Sequence, residues 1–161
     1  MLNCACARNI LYILHMAQFA TRRWLLPFHR EILQKLIPTD DEDSDALLIL
    51  SPGLGMRRIL SSFLRVYSNP NNLVLILNAS PRDVEGISND LGILGLPHGT
   101  INHMHHELGA KQRREMYLSG GLQSVTSRIL VVDMLNNTIP TEMVTGIVIL
   151  HAERCVLGLT E

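Results

Sequence analysis

A chain of 161 residues is long enough for one domain with a buried core and too short for two ordinary ones. Its 47% hydrophobic content excludes a disordered chain, and three cysteines (Cys4, Cys6 and Cys155) exclude a disulfide scaffold. The net charge of −1 conceals a dense acidic run at Asp40, Asp41, Glu42, Asp43 and Asp45, without which the chain is net positive; twelve of its fourteen basic residues are arginines, a bias that suits phosphate contacts and ordinary surface ion pairs alike.

Asn9 to Ala20 (NILYILHMAQFA) is mostly apolar and is flanked by Arg8, Arg22 and Arg23. The run is too short to span a bilayer. It reads as an added helix, with a targeting segment as the alternative, so residues 1–24 are set apart as an atypical N-terminal extension. Cys4 and Cys6 form a C-x-C with no second pair or histidine at zinc-site spacing. Leu25 to Leu36 predicts a helix in which Leu26, Phe28, Ile32, Leu33 and Leu36 form a stripe and Pro27 takes an early position. Pro38 and the acidic run then predict a solvated loop.

Ala46 to Leu50 (ALLIL) predicts a strand buried on both faces. Ser51 to Gly55 is a glycine-rich turn. Met56 to Tyr67 predicts a helix with Ile59, Leu60, Phe63 and Leu64 on one side. Asn69 to Asn72 is a turn, Leu73 to Leu77 a second strand, and Arg82 to Leu94 a helix. His98 to Glu107 is less regular, and its histidines (His98, His103, His105 and His106) read as a polar loop rather than a metal site. Ala110 to Leu118 predicts a helix with a basic start at Lys111, Arg113 and Arg114. Val125 to Asp133 predicts a third strand around Ile129 to Val132, Pro140 a short helix, and Gly146 to Leu150 a fourth strand. Strands alternating with helices predict an α/β fold: a parallel sheet with helices on both faces.

A buried strand, a glycine-rich turn and a helix are the setting of a phosphate-binding loop. Here the turn offers Gly53, Gly55, Met56 and Arg57. A working loop needs Lys after the last glycine and then Ser or Thr to hold magnesium. Methionine brings no charge and arginine cannot replace the hydroxyl, so this is a degenerate nucleotide loop. The fourth strand ends at Leu150 and His151, where a helicase-type ATPase places an acidic pair.

Four stretches resemble the helicase-like region of the XPF family of DNA repair endonucleases: LLPFHREILQKL from Leu25, GLGMRRILSSFL from Gly53, LVLILN from Leu73, and the long segment Gly120 to Leu150, whose core is TSRILVVD from Thr126. The resemblance implies a RecA-like helicase lobe over 25–154, expected to be truncated, with 155–161 a divergent tail. It implies a non-catalytic scaffold for damaged or branched DNA in nucleotide excision repair, crosslink repair and recombination, within the nucleus and away from membranes. The family is a structure-specific endonuclease, but no Glu-Arg-Lys nuclease motif stands in this sequence. No cofactor is expected here; the divalent metal, such as magnesium, belongs to the family's nuclease domain. The family's small non-catalytic subunit is expected to bind through a C-terminal region that this sequence does not show. Asn78, Ser80, Thr126, Ser127 and Arg128 are the implied DNA contacts, with an Arg128–Asp133 salt bridge as the structural alternative. The competing functions are a protein-interaction module and a nucleotide-binding lobe without a DNA role.

Overall fold

The structure is a computed structural model that describes residues 24–37 and 45–154. The expected extension up to residue 23, most of the acidic loop and the 155–161 tail lie outside the described residues. Four strands form the sheet: β1 (Leu73–Leu77), β2 (Ile101–His103), β3 (Gly121–Val125) and β4 (Val144–Ile149). They run in the order β2-β3-β1-β4 and every pairing is parallel. Five α-helices accompany them among the described residues: α1 (Pro27–Leu36), α2 (Met56–Val66), α3 (Pro81–Ile93), α4 (Ala110–Leu118) and α5 (Ser127–Leu135).

Topology decides which helix covers which face. The β1→β2 crossover steps one way along the sheet, and the β2→β3 and β3→β4 connections step the other way. A common right-handed crossover therefore puts α3 on one face and α4 and α5 on the opposite one. The core is divided accordingly. Val74 and Ile76 of β1 meet Leu64 of α2 and Ile87 and Leu91 of α3. Leu73, Leu75 and Leu77 meet Tyr117 of α4 and Leu130 of α5 on the other side. Helix α1 forms an outer layer on α2 through Leu33 and Ile59.

Two expected strands are corrected. Ala46 to Leu50 takes no strand structure, and Leu47 and Ile49 are exposed. Its alternate residues Leu48 and Leu50 pack toward α1 and α2, but no ladder bonds hold it to the sheet. The Ile129 to Val132 run lies in α5, because Thr126 caps the helix by accepting the Ile129 N–H at 3.3 Å. The strand at this point is instead β3, whose central Gln123 and Ser124 are buried. The Gln123 amide nitrogen offsets part of that burial by donating to the carbonyls of Gly120 and Met116, at 2.9 and 3.1 Å, while its Oε1 is buried without a hydrogen-bond partner among the described residues. The stripe expected on α1 is shifted as well: His29 and Leu33 are its buried residues, and Leu26 and Phe28 are exposed.

The turn into β3 depends on Gly120. Its φ is +68°, and a Cβ there would lie 1.9 Å from the Pro70 carbonyl oxygen. That approach lets the Gly121 N–H bond to Asn72 and brings β3 beside β1.

Candidate nucleic-acid interface

In an open parallel sheet, ligands bind beyond the carboxyl ends of the strands, where neighbouring connections leave for opposite faces. Here that place lies between β1 and β3. Leu77 is paired with Val125 at the last position of the ladder. Past it, the chain from β1 turns into α3, and the chain from β3 turns into α5 on the other face. The crest between them therefore carries Asn78 and Ser80 on one lip and Thr126, Ser127 and Arg128 on the other. Adjacent strands are about 4.8 Å apart, so all five expected contact residues are brought to one edge.

The lips differ chemically. Thr126, Ser127 and Arg128 are exposed. Thr126 spends its lone pair on the Ile129 N–H and keeps a hydroxyl proton to donate. Ser127 and Arg128 supply the first amides of the nine-residue helix α5, which have no intrahelical acceptor. Arg128 forms no ion pair among the described residues, so its five donors face outward. The expected alternative, a bond to Asp133, is corrected. Asp133 is fully buried and accepts from Arg113 Nε at 2.8 Å and Nη2 at 2.6 Å, and from the Tyr117 hydroxyl at 3.0 Å. Those hydrogen bonds raise the pKa of Arg113. Desolvation first, and the bond to Asp133 next, raise that of Tyr117.

Ser80 is committed to the protein. Its hydroxyl donates to Asp83 Oδ2 at 2.6 Å and accepts the Asp83 N–H at 3.2 Å, closing a capping box at the start of α3. Burial works to raise the Asp83 pKa, but the Ser80 bonds and His151 outweigh it and leave the carboxyl below its ordinary range. His151, just past β4, reaches Asp83 Oδ2 at 3.2 Å and Glu153 at 3.6 Å. Asn78 and His151 both hold left-handed backbones, with φ of +58° and +51°. Two strained non-glycine residues on neighbouring strand ends are uncommon and cluster at functional sites. The pairing of His151 with Asp83 escaped the sequence reading.

The sequence is 39% identical over 137 residues to the DNA repair endonuclease XPF of Cricetulus griseus, an alignment that takes in 85% of this chain and 14% of that protein. The Mus musculus XPF endonuclease matches at 39% over the same coverage. The DNA repair protein rad16 of Schizosaccharomyces pombe is 34% identical over 131 residues, covering 81% of this chain and 14% of its own length. This chain is a homologue of the XPF DNA repair endonucleases. It spans about one seventh of the length of these relatives, the 14% just given. No protein-family model matches it.

The glycine turn expected to be a degenerate nucleotide loop carries Met56 after its last glycine. Gly55, with φ of +79°, is the N-cap of α2. A Cβ on it would meet the His29 ring at 2.9 Å. His29 Nδ1 takes the Leu26 N–H at 3.3 Å, which leaves Nε2 to donate to the Leu54 carbonyl at 2.8 Å. His29 thus braces the loop from α1. Met56 is exposed, and Arg57 turns away to Asp90 of α3, at 2.9 Å. The strand expected before the loop is absent, so the strand–loop–helix setting is not formed among the described residues. His103 bonds to Ser124 at 3.2 Å, and its ring meets His105 edge-on at 4.5 Å. No group of three or more His, Cys, Asp or Glu side chains is arranged to hold a metal among the described residues. No helix among them is long and apolar enough to cross a membrane.

Proposed function

We propose that this XPF homologue acts as a RecA-like lobe that grips the backbone of branched or damaged DNA in nuclear repair without hydrolysing ATP. The observation that carries the reading is Arg128: an exposed guanidinium without an ion pair among the described residues, next to two hydroxyls and the free amides of α5, on the crest between β1 and β3. Such a group contacts phosphate rather than base edges, so it positions DNA and does not read sequence. Asn78 stands on the opposite lip, and Ser80 acts through the Asp83 cap that shapes it. The loop at Gly53, Gly55, Met56 and Arg57 supplies neither the lysine nor the hydroxyl that ATP hydrolysis needs.

The test is binding of the whole chain to a fluorescent splayed-arm DNA and to an ordinary duplex, by anisotropy, over a salt series. Binding with log K falling linearly in log salt supports the reading. No binding at about 50 mM salt, where non-specific contacts are strongest, refutes it.

A further inference from the structure

Strand β2 ends at His103, level with Ser124 of β3, and the ladder runs one bond further, from the Met104 N–H to the Ser124 carbonyl at 2.9 Å. Met104 is buried and anchors the chain between two histidines. His103 Nδ1 lies 3.2 Å from the Ser124 hydroxyl, and the His105 ring meets the His103 ring edge-on at 4.5 Å. The His105 carbonyl accepts the Leu108 N–H at 3.2 Å, which closes a turn. A surface side chain ordinarily keeps its rotamer freedom. His105 is exposed, yet it has a ring beneath it, a buried neighbour and a closed turn after it.

The turn is also fixed relative to Arg128. Arg113 donates to the Leu108 carbonyl and grips the buried Asp133 of α5, so one knot holds both the His105 turn and the helix whose first turn carries Arg128. Ser124 is in register with Ile76, whose side chain packs toward α3. His103 pairs with Ser124 and its ring touches His105, so the two rings lie on the α3 side of the strand ends. They stand one strand spacing, about 4.8 Å, beyond β3. Arg128 stands on the α5 side. A nucleotide laid across this edge with its phosphate at Arg128 would turn its base toward His105.

The ring pair suits a base better than a second phosphate. Burial first, and the neighbouring His105 next, lower the pKa of His103, so the supporting ring is neutral at neutral pH and offers an anion no charge. A flat ring held on a rigid support is what an unpaired base stacks on, and a duplex keeps the faces of its bases covered. We propose that His105 is a stacking platform for an unpaired base, so that the crest takes a single-stranded arm of DNA, with a phosphate at Arg128 and a base on the imidazole. This inference rests on the crest reading and adds to it the class of strand that is bound.

Anisotropy titrations of the whole chain with a fluorescent oligothymidine and with a blunt duplex are the test, with a melting curve for each variant. His105→Ala is expected to weaken single-strand binding about 5- to 100-fold, the contribution of one stacked base, and to leave duplex binding and the log K against log salt slope unchanged. His105→Phe keeps a ring and is expected to bind the single strand as tightly as the wild type. His105→Lys offers charge without a ring and is expected to stay weak. In His105→Trp, tryptophan emission is expected to be quenched by oligothymidine beyond any change that Trp24 shows in the wild type. Single-strand affinity that His105→Ala does not move, while Arg128→Ala still lowers the salt slope, overturns the proposal and leaves the crest reading standing. Recovery by Lys rather than Phe would make the site a phosphate contact and overturns it too, as does an equal loss for single strand and duplex. A wild type that binds neither DNA removes the proposal together with the crest reading.

Discussion

Arg113→Met should be among the most damaging single substitutions in the described residues. Asp133 sits on α5 with no exposed surface, and Arg113 grips it with three N–H···O contacts of 2.6, 2.8 and 3.1 Å. Arg113 also donates to the Leu108 carbonyl, tying the loop before α4 into the same knot. Removing the guanidinium leaves a buried carboxylate with only the Tyr117 hydroxyl, at 3.0 Å. Breaking one side of a buried pair costs about 3–5 kcal/mol. At about 2–4 °C per kcal/mol for a domain of this size, the melting temperature should fall by roughly 6–20 °C. Tyr117→Phe removes one hydrogen bond to a charged group and should cost about 1.5–3 kcal/mol. The double substitution Arg113→Met with Asp133→Leu removes the charge together with its partner and should recover most of the loss. Differential scanning calorimetry on the four proteins decides it. A loss below about 1 kcal/mol for Arg113→Met, the range of an exposed pair, would show that the network does not hold α5 in place.

Gly120→Ala should destabilise by more than about 2 kcal/mol in urea melts, since a φ of +68° and a Cβ 1.9 Å from a carbonyl oxygen cannot both be accommodated; a near-neutral result would contradict the β3 turn. The Asp83 carboxyl is held below the ordinary carboxylate range, so its contribution is complete above about pH 4 and is lost as the pH falls through the lowered value. Asp83→Asn should flatten the acid side of a stability–pH curve, and an unchanged acid limb would argue against the Ser80–Asp83–His151 cluster. Phosphate release with DNA present should stay at background, and Met56→Lys alone should not raise it, because Arg57 still fills the hydroxyl position and points to Asp90. Turnover that Gly55→Asp abolishes would contradict this.

Where local pattern and tertiary packing agree, the sequence was legible. Helix α4 spans Ala110–Leu118 as expected, and β1 is the apolar run Leu73–Leu77. Two turns, Asn69 to Asn72 and Asn78 to Ser80, punctuate that run plainly. The failures came where a packing partner overrides the pattern. A run of β-branched residues from Ile129 suggests a strand, yet Thr126 caps it into a helix whose Asp133 needs Arg113 and Tyr117. Gln123 and Ser124 disguise β3, because their burial is offset in part by residues outside the strand. Strand β1 is central and fully buried, whereas β4 leaves Ile147 and Ile149 exposed on one side. The crest residues are named by the family resemblance and not by local pattern, which puts Thr126, Ser127 and Arg128 inside the strand expected from Val125 to Asp133. The cluster of Ser80, Asp83 and His151 is named by neither, since His151 and Asp83 are 68 residues apart. His29 has the pattern of an ordinary helix position, and only the fold shows it bracing the glycine loop.

The claim that this XPF homologue grips DNA along the crest between β1 and β3 rests on Arg128, and one comparison tests it most directly. Arg128→Ala and Lys35→Ala remove the same charge. Lys35 is exposed on α1, which packs on α2 across the sheet from α5. In anisotropy titrations over a salt series, Arg128→Ala should weaken binding to a splayed-arm DNA and lower the magnitude of the log K against log salt slope by about one. Lys35→Ala should leave the slope unchanged. Equal slopes for wild type and Arg128→Ala, with the protein folded, would contradict the account.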